Sequence, residues 1–200
     1  MKSILISVHP QWCEKIFNKI CERADGAPIY EKSVEVRKTR PKIETPFKCY
    51  VYMTAGDASY PVTINNYPYI CHNNGGREVI GEFICDKIEE FTPHIDGVGL
   101  NRFWYLADTC LKLDEMRAYL RGKVGYRWHI ADRVTYDKPK ELREFKKAGF
   151  MTEENWLAAL YPNTHCHYEA WAKKFIIKSP PQSWCYVEEL TRGTEGEQNG

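Results

Sequence analysis

Five or six short segments of this 200-residue chain carry strand patterns, and they do not follow the regular strand–helix–strand rhythm of a parallel sheet. These segments are residues 3–8, 33–38, 47–54, 78–91, 126–136 and 183–190. The clearest is SVEVRK at 33–38, in which Val34 and Val36 alternate with polar residues at the period of a β-strand. Together the segments predict an α+β fold, a small mixed β-barrel with flanking helices.

Helices and insertions are expected between these strands. A first helix begins at Pro10 and carries apolar residues at helical spacing as far as Ile20, and residues 22–31 are a loop. A later helix ends at Gly122, and a short helix is expected to open at Asp137. Residues 55–77, rich in Gly, Pro and Asn, are interpreted as an insertion or lid, and residues 146–178 as a helical insertion. Residues 1–190 are then one domain, followed by a disordered tail at 191–200.

Composition excludes several classes of protein. Lys and Arg number 28 and Asp and Glu 27, so the net charge of +1 lacks the bulk basic surface of a duplex-DNA-binding protein. No segment has the roughly 18 consecutive apolar residues of a membrane helix, and we identify no targeting signal. The eight cysteines are dispersed without a CxxC pair, which indicates reduced thiols and a cytoplasmic location.

The strand at 33–38 carries the most informative polar pattern. Alternation places Ser33, Glu35 and Arg37 in one row, and a hydroxyl, a carboxylate and a guanidinium can together recognise a base edge and a phosphate. The alternative is an exposed strand on which Glu35 and Arg37 only pair with neighbouring charges. We expect Arg37 to be exposed and to hold phosphate or another anionic ligand group.

Two further features extend this candidate site. The only dense basic stretch begins at Arg37 and includes Lys38 and Arg40, which are predicted to contact phosphate at the rim. Trp12, next to Pro10 at the start of the first helix, is predicted to form a wall of the cleft.

Several sequence segments resemble the ASCH-domain proteins, a branch of the PUA-like barrels, and in particular the small ASCH proteins of bacteria and their phages. In chain order they read ILISVHPQW, EKSVEVRK, YVYMT, VIGEFICDKI, GYRWHI, YDKPKEL and PPQSWCYV, and the resemblance covers roughly residues 2–55, 78–145 and 179–190. It implies a PUA-like barrel with a cleft between the first helix and the 33–37 strand. This cleft is expected to bind RNA, a nucleotide or a modified nucleoside, without a cofactor.

One branch of that family removes the acyl group from N4-acetylcytidine, and this implies an alternative function as an amidohydrolase. Its lysine matches Lys32, but Glu35 stands where the branch has its nucleophilic threonine, and the nearest hydroxyl is that of Ser33. The candidate catalytic residues are therefore Lys32, Ser33 and Glu35, with Lys32 as general base for Ser33 or a water. The acidic partner stays open among Asp108, Asp114 and Glu115.

Two other possibilities concern the insertion at 146–178. His165, Cys166 and His167 lie close together, but no second Cys/His pair at ligand spacing accompanies them, so no metal is expected. The insertion also offers a possible docking surface for a protein partner, which would make the chain an interaction module.

Overall fold

A six-stranded mixed sheet is the centre of the computed structural model, which describes residues 2–22, 24–26, 28–55, 62–64, 67–69, 77–93, 107–160 and 165–190. Its strands are β1 (Lys2–Val8), β2 (Lys19–Glu22), β3 (Pro28–Tyr30), β4 (Val34–Arg37), β5 (Phe47–Met53), β6 (Val62–Ile64), β7 (Tyr67–Tyr69), β8 (Glu78–Phe91), β9 (Gly125–Lys140) and β10 (Trp184–Glu188). Its helices are α1 (Pro10–Phe17), α2 (Leu113–Leu120), α3 (Glu153–Leu160) and α4 (His165–Ala172), with a 3-10 turn at Leu142–Glu144. The predicted α+β class is confirmed.

The strand order is β10-β1-β5-β8-β9-β4, and only β1 and β5 run parallel. The two longest strands, β8 and β9, bend at irregularities in their register. At one of them, a Cβ added to Gly81 would lie 2.4 Å from the carbonyl oxygen of Val134 and 3.0 Å from the ring of Phe17. Only glycine fits this close approach.

The predicted small mixed barrel is not closed in the part of the chain that is described. Strands β4 and β10 lie at opposite ends of the sheet order, and no described strand pairs them. Instead the side chain of Arg37, on β4, reaches the backbone oxygen of Ser7 at 2.9 Å and that of Ser183 at 3.3 Å. We call this gap between β4 and the strands β1 and β10 the seam, because a side chain crosses it where a closed barrel would have a strand pair.

The main core lies on the inner side of the curved sheet. It contains α1, through Cys13, Ile16 and Phe17, and the fully buried Trp128 of β9. Helix α1 ends at Phe17 because Asn18 is extended, so the predicted helical position of Ile20 is wrong: Ile20 lies in β2 and is exposed.

Two hairpins flank α1. The expected loop at 22–31 is instead the hairpin of β2 and β3, which are antiparallel. Within the predicted insertion at 55–77, β6 and β7 also form a hairpin, and Ile64 is buried in the main core. Much of that insertion, like the predicted tail at 191–200, lies outside the described residues.

A second core covers the other side of the sheet. Phe145, directly before the predicted helical insertion, and Ile177, near its end, are buried there with Val187 and Leu5. The segment 146–148 bonds to β10 through Ala148 and Glu188, so the insertion begins on the sheet edge. Its end pairs with that same segment, through Lys146 and Ile176. The predicted short helix at Asp137 is wrong, because β9 continues to Lys140 and only a 3-10 turn follows.

No described helix is long and apolar enough to cross a membrane. Six cysteines are described, and none of them forms a disulfide bond.

Candidate ligand-binding site

A cavity of about 570 Å³ lies at the seam, a size within the usual range for small-molecule sites. It is built from the end of β1, the start of α1, strand β4, helix α2 and the turn before β10. Its lining residues are Ser7, Val8, His9, Trp12, Lys32, Glu35, Val36, Arg37, Lys38, Thr39, Leu111, Tyr119, Gln182 and Ser183. Five of the seven predicted site residues are among them, and Ser33 and Arg40 are not.

The central polar group of this cavity is an ion-pair array on β4. The carboxylate of Glu35 lies 3.3 Å from Nζ of Lys32 and 3.0 Å from Nη2 of Arg37. All three residues are buried, with exposed fractions of 2% for Lys32, 9% for Glu35 and 5% for Arg37. Two cations thus hold one carboxylate in a fixed orientation inside the seam.

The burial of Arg37 corrects the expectation that it is exposed. Glu35 pairs with Trp128, and Arg37 with Tyr126, in the register of β4 and β9, so both side chains point to the inner side of the sheet. Arg37 also bonds to Ser7 and to both oxygens of Ser183. Its guanidinium is therefore largely committed to protein partners, which leaves little of the planar fork for a phosphate.

Lys32 is held from three sides. Its Nζ donates to the carbonyl of Thr109 at 2.7 Å, lies beside Glu35, and stands 5.3 Å from the centre of the Trp12 ring. Thr109 belongs to residues 107–112, which we call the strap. The carbonyl of Asp108 in the strap accepts the N–H groups of Ser33 and Val34, so the strap is fixed to the start of β4.

Two aromatic residues line the cavity. Trp12 is half-buried and packs against the main core, as expected for a wall of the cleft. Tyr119 of α2 lies 4.4 Å from Nζ of Lys38. Burial is the main cause that raises the pKa of Tyr119. A planar ligand in the cavity would have an aromatic ring, Trp12, and an exposed cation, Lys38, among its neighbours.

The remaining predicted residues lie away from the cavity. Ser33 is half-buried, and its backbone is bonded to Asp108 and Ile130. Arg40 is exposed in the loop after β4. Of the three acidic candidates, Asp108 lies 3.7 Å from Arg127, Glu115 accepts the N–H of Lys112 at the start of α2, and Asp114 is exposed; none is a lining residue.

Sequence reasoning missed the lining residues contributed by other elements. His9, at the end of β1, has its Nδ1 3.3 Å from Oγ1 of Thr54. Tyr119 was inside a predicted helix without being assigned a role, and Ser183 was the first residue of the predicted last strand. Only His9, directly before the helix-starting Pro10 and close to Trp12 in sequence, carried a signal that could have placed it in the site.

A second polar cluster lies on β8 and β9. Glu89 accepts hydrogen bonds from Lys87, from His129 at 2.7 Å and from Arg127 at 3.0 Å. The hydrogen bond from Lys87, followed by that from His129, lowers the pKa of Glu89 to about 2. No lining residue of the cavity belongs to this cluster, although Arg127 also contacts the strap through Asp108.

Among the described residues, no group of three or more His, Cys, Asp or Glu side chains is arranged to hold a metal ion. The side chains of His165 and Cys166, which the sequence analysis considered, lie outside the described set.

No family model matches the chain, and no curated protein matches it. Solved structures do. An S-to-A point mutant of the ASCH protein from Zymomonas mobilis is 15% identical, with 94% of this chain and 89% of that chain covered and a TM-score of 0.50. The crystal structure of ASCH from the same organism is 18% identical, with 94% and 88% covered and a TM-score of 0.49. At these identities the likeness concerns the fold: this chain has the fold of an ASCH protein.

Proposed function

We propose that the seam cavity binds the base of a nucleoside, a nucleotide or an RNA strand. The observation that supports this most is the combination, in one cavity, of the Trp12 ring with the buried Lys32–Glu35–Arg37 array. An aromatic face stacks any base, and fixed donors and acceptors beside it distinguish one base edge from another.

The charged residues of the interior and the charged residue at the rim are expected to contact different parts of the ligand. Lys32 and Arg37 are occupied by protein partners and orient Glu35, whose oxygens have further lone pairs for an exocyclic amine. Lys38 is exposed and stands at the mouth. We therefore assign phosphate contact to Lys38 and base contact to the interior, and Arg37 becomes a residue that positions Glu35.

Calorimetric titration with cytidine, uridine and their 5′-monophosphates tests this proposal. Trp12→Ala should weaken binding of all of them by roughly ten- to a hundredfold, since stacking on an aromatic side chain contributes about 1–3 kcal/mol per base. Trp171→Ala, in the remote helix α4, is the matched control and should bind as the wild type does. Lys38→Ala should weaken the monophosphates more than the nucleosides, whereas the exposed Lys173→Ala should change neither.

Equal affinity of wild type and Trp12→Ala for every compound would contradict the proposal. The same protein samples also test the hydrolase alternative. Release of acetate from N4-acetylcytidine would favour hydrolysis over binding alone. The structure offers that reaction little, because Ser33 does not line the cavity and Nζ of Lys32 donates to Thr109.

The third alternative, a docking surface on the insertion, has less support. The aromatic residues of 150–175 pack on one another, with Trp171 stacked on Phe150 at 5.8 Å and Trp156 buried beside Tyr168 at 5.7 Å. They form an aromatic cluster of their own, in which Trp156 is buried and Trp171 half-buried, so part of the apolar surface that a partner would contact is already covered.

A further inference from the structure

Strand β4 exposes one backbone position to the seam, and the ladder identifies which one. The N–H of Ile130 donates to the carbonyl of Ser33 at 2.9 Å, and the register from Val34–His129 to Arg37–Tyr126 continues without a shift. Bonded and non-bonded pairs alternate in an antiparallel ladder, so Glu35 and Arg37 bond to β9. The backbone groups of Val34 and Val36 therefore point to the outer edge of β4, which is the seam.

The preceding position on this edge has a partner for its N–H, since Val34 donates to the carbonyl of Asp108 at 2.9 Å. The backbone of Val36, in contrast, makes no hydrogen bond among the residues that the structure describes.

Val36 is nevertheless buried, with 4% of its surface exposed, and it lines the cavity. Its side chain clusters with Met116 and Leu120 beneath α2, away from Glu35 and Arg37. Because Val36 lines the cavity, its backbone groups are available to a molecule that occupies the cavity, whether water or a ligand.

We propose that the N–H and C=O of Val36 read the Watson–Crick edge of the bound base, and that the site therefore accepts only unpaired bases. This inference rests on the proposed function. In an extended residue the N–H and C=O point to the same side, so they present an adjacent donor and acceptor. The Watson–Crick edge of every base has an adjacent acceptor and donor, and these groups are occupied when the base is paired.

Methylated nucleosides test the edge directly. We compare uridine with 3-methyluridine, whose Watson–Crick edge is blocked, and with 5-methyluridine, whose edge is intact; cytidine is compared with N4,N4-dimethylcytidine and 5-methylcytidine in the same way. The blocked nucleosides should bind at least tenfold more weakly than their parents, and the 5-methyl controls about equally.

A backbone replacement tests the protein side. Exchanging the amide nitrogen of Val36 for an ester oxygen should weaken the binding of uridine or cytidine about tenfold. It also makes the Glu35 carbonyl, which bonds to β9, a weaker acceptor, so the melting temperature should fall slightly. The same exchange at Val34 should lower the melting temperature more, since an N–H bonded to Asp108 is lost as well.

The outcomes separate the two proposals. If parent and blocked nucleosides bind equally, or if the Val36 ester binds as the wild type does, the inference is overturned and the proposed function stands. If neither parent nucleoside nor its 5′-monophosphate binds at all, both are overturned.

Discussion

Arg37 is held by Glu35, Ser7 and Ser183, and all of these contacts lie inside the seam. The sequence showed a polar residue on an alternating strand, which is the usual pattern of an exposed side chain. Ser183 is 146 residues away in the chain, so its contact with Arg37 had no local signal. Because of these partners, Arg37 is expected to position Glu35 and not to contact the ligand.

Arg37→Ala should therefore lower the stability of the protein. Removing one partner of a buried ion pair leaves the other charge uncompensated, at a cost of about 3 kcal/mol. Arg37→Lys should recover only part of this, because one ammonium cannot reach Glu35, Ser7 and Ser183 together. Urea unfolding measures both, with Arg143→Ala as the control, since the side chain of Arg143 is 75% exposed. An unchanged unfolding midpoint for Arg37→Ala, with loss of nucleotide binding, would restore the original expectation.

Glu89 gives a prediction for the dependence of stability on pH. Hydrogen bonds from Lys87 and then His129 depress its folded pKa to about 2, below the ordinary value of a glutamate. A depressed carboxyl pKa contributes stability above the unfolded pKa, and this contribution is lost as the pH falls toward the folded pKa. Glu89→Gln should thus flatten the fall in unfolding free energy from about pH 5 to pH 2.

Urea midpoints at several pH values across that range check this prediction. Glu90→Gln, at the exposed neighbouring position of β8, is the matched control. Identical acid profiles for Glu89→Gln and the wild type would show that solvent screens the Lys87 and His129 contacts almost completely.

Strands and helices could be predicted from the sequence where the spacing of their apolar residues is visible within the segment itself. Strands β1, β5 and β8 were located from their apolar residues, because burial of whole strands leaves a continuous or alternating pattern. The hairpin of β2 and β3 was missed because all four residues of β2 are exposed, so it has no apolar face to detect. Ile20 had helical spacing but stands after Asn18, where the backbone is already extended.

The cavity was predictable only in the part carried by α1 and β4. Lys32, Glu35 and Trp12 come from neighbouring segments of the chain, and the family-like motif marked them. Tyr119 and Ser183 enter through the packing of α2 and of the turn before β10 against the seam. Such contacts depend on the three-dimensional arrangement of distant segments and leave no spacing in the sequence.

Helices α3 and α4 should be removable without loss of the sheet. Their aromatic residues pack mainly on one another, whereas Phe145 and Ile177, which belong to the second core, lie outside them. Replacing 151–174 by a short linker should leave a soluble protein with a cooperative thermal transition. Phe145→Ala, in contrast, should cost about 3–5 kcal/mol because it opens a cavity beneath the sheet. Aggregation of the deletion variant would show that the helices complete the main fold.

At the scale of the whole molecule, the open seam provides the space for the proposed binding site. A closed barrel would pair the backbone of β4 with a neighbouring strand and fill the space that the cavity occupies. Here the side chain of Arg37 spans the gap, and the edge of β4 at Val36 stays open toward the cavity. Stability is provided by the two cores on either side of the sheet, so the seam can stay unpaired.

The most direct test is a nucleoside titration followed by ¹H–¹⁵N NMR, in which the backbone amides and the six tryptophan indoles report separately. The account predicts that uridine or cytidine shifts the indole signal of Trp12 and the amide signal of Val36, with those of Trp156 and Trp171 unchanged. Shifts confined to the helices of the insertion, or no shift with any nucleoside or 5′-monophosphate, would contradict a base-binding cavity at the seam.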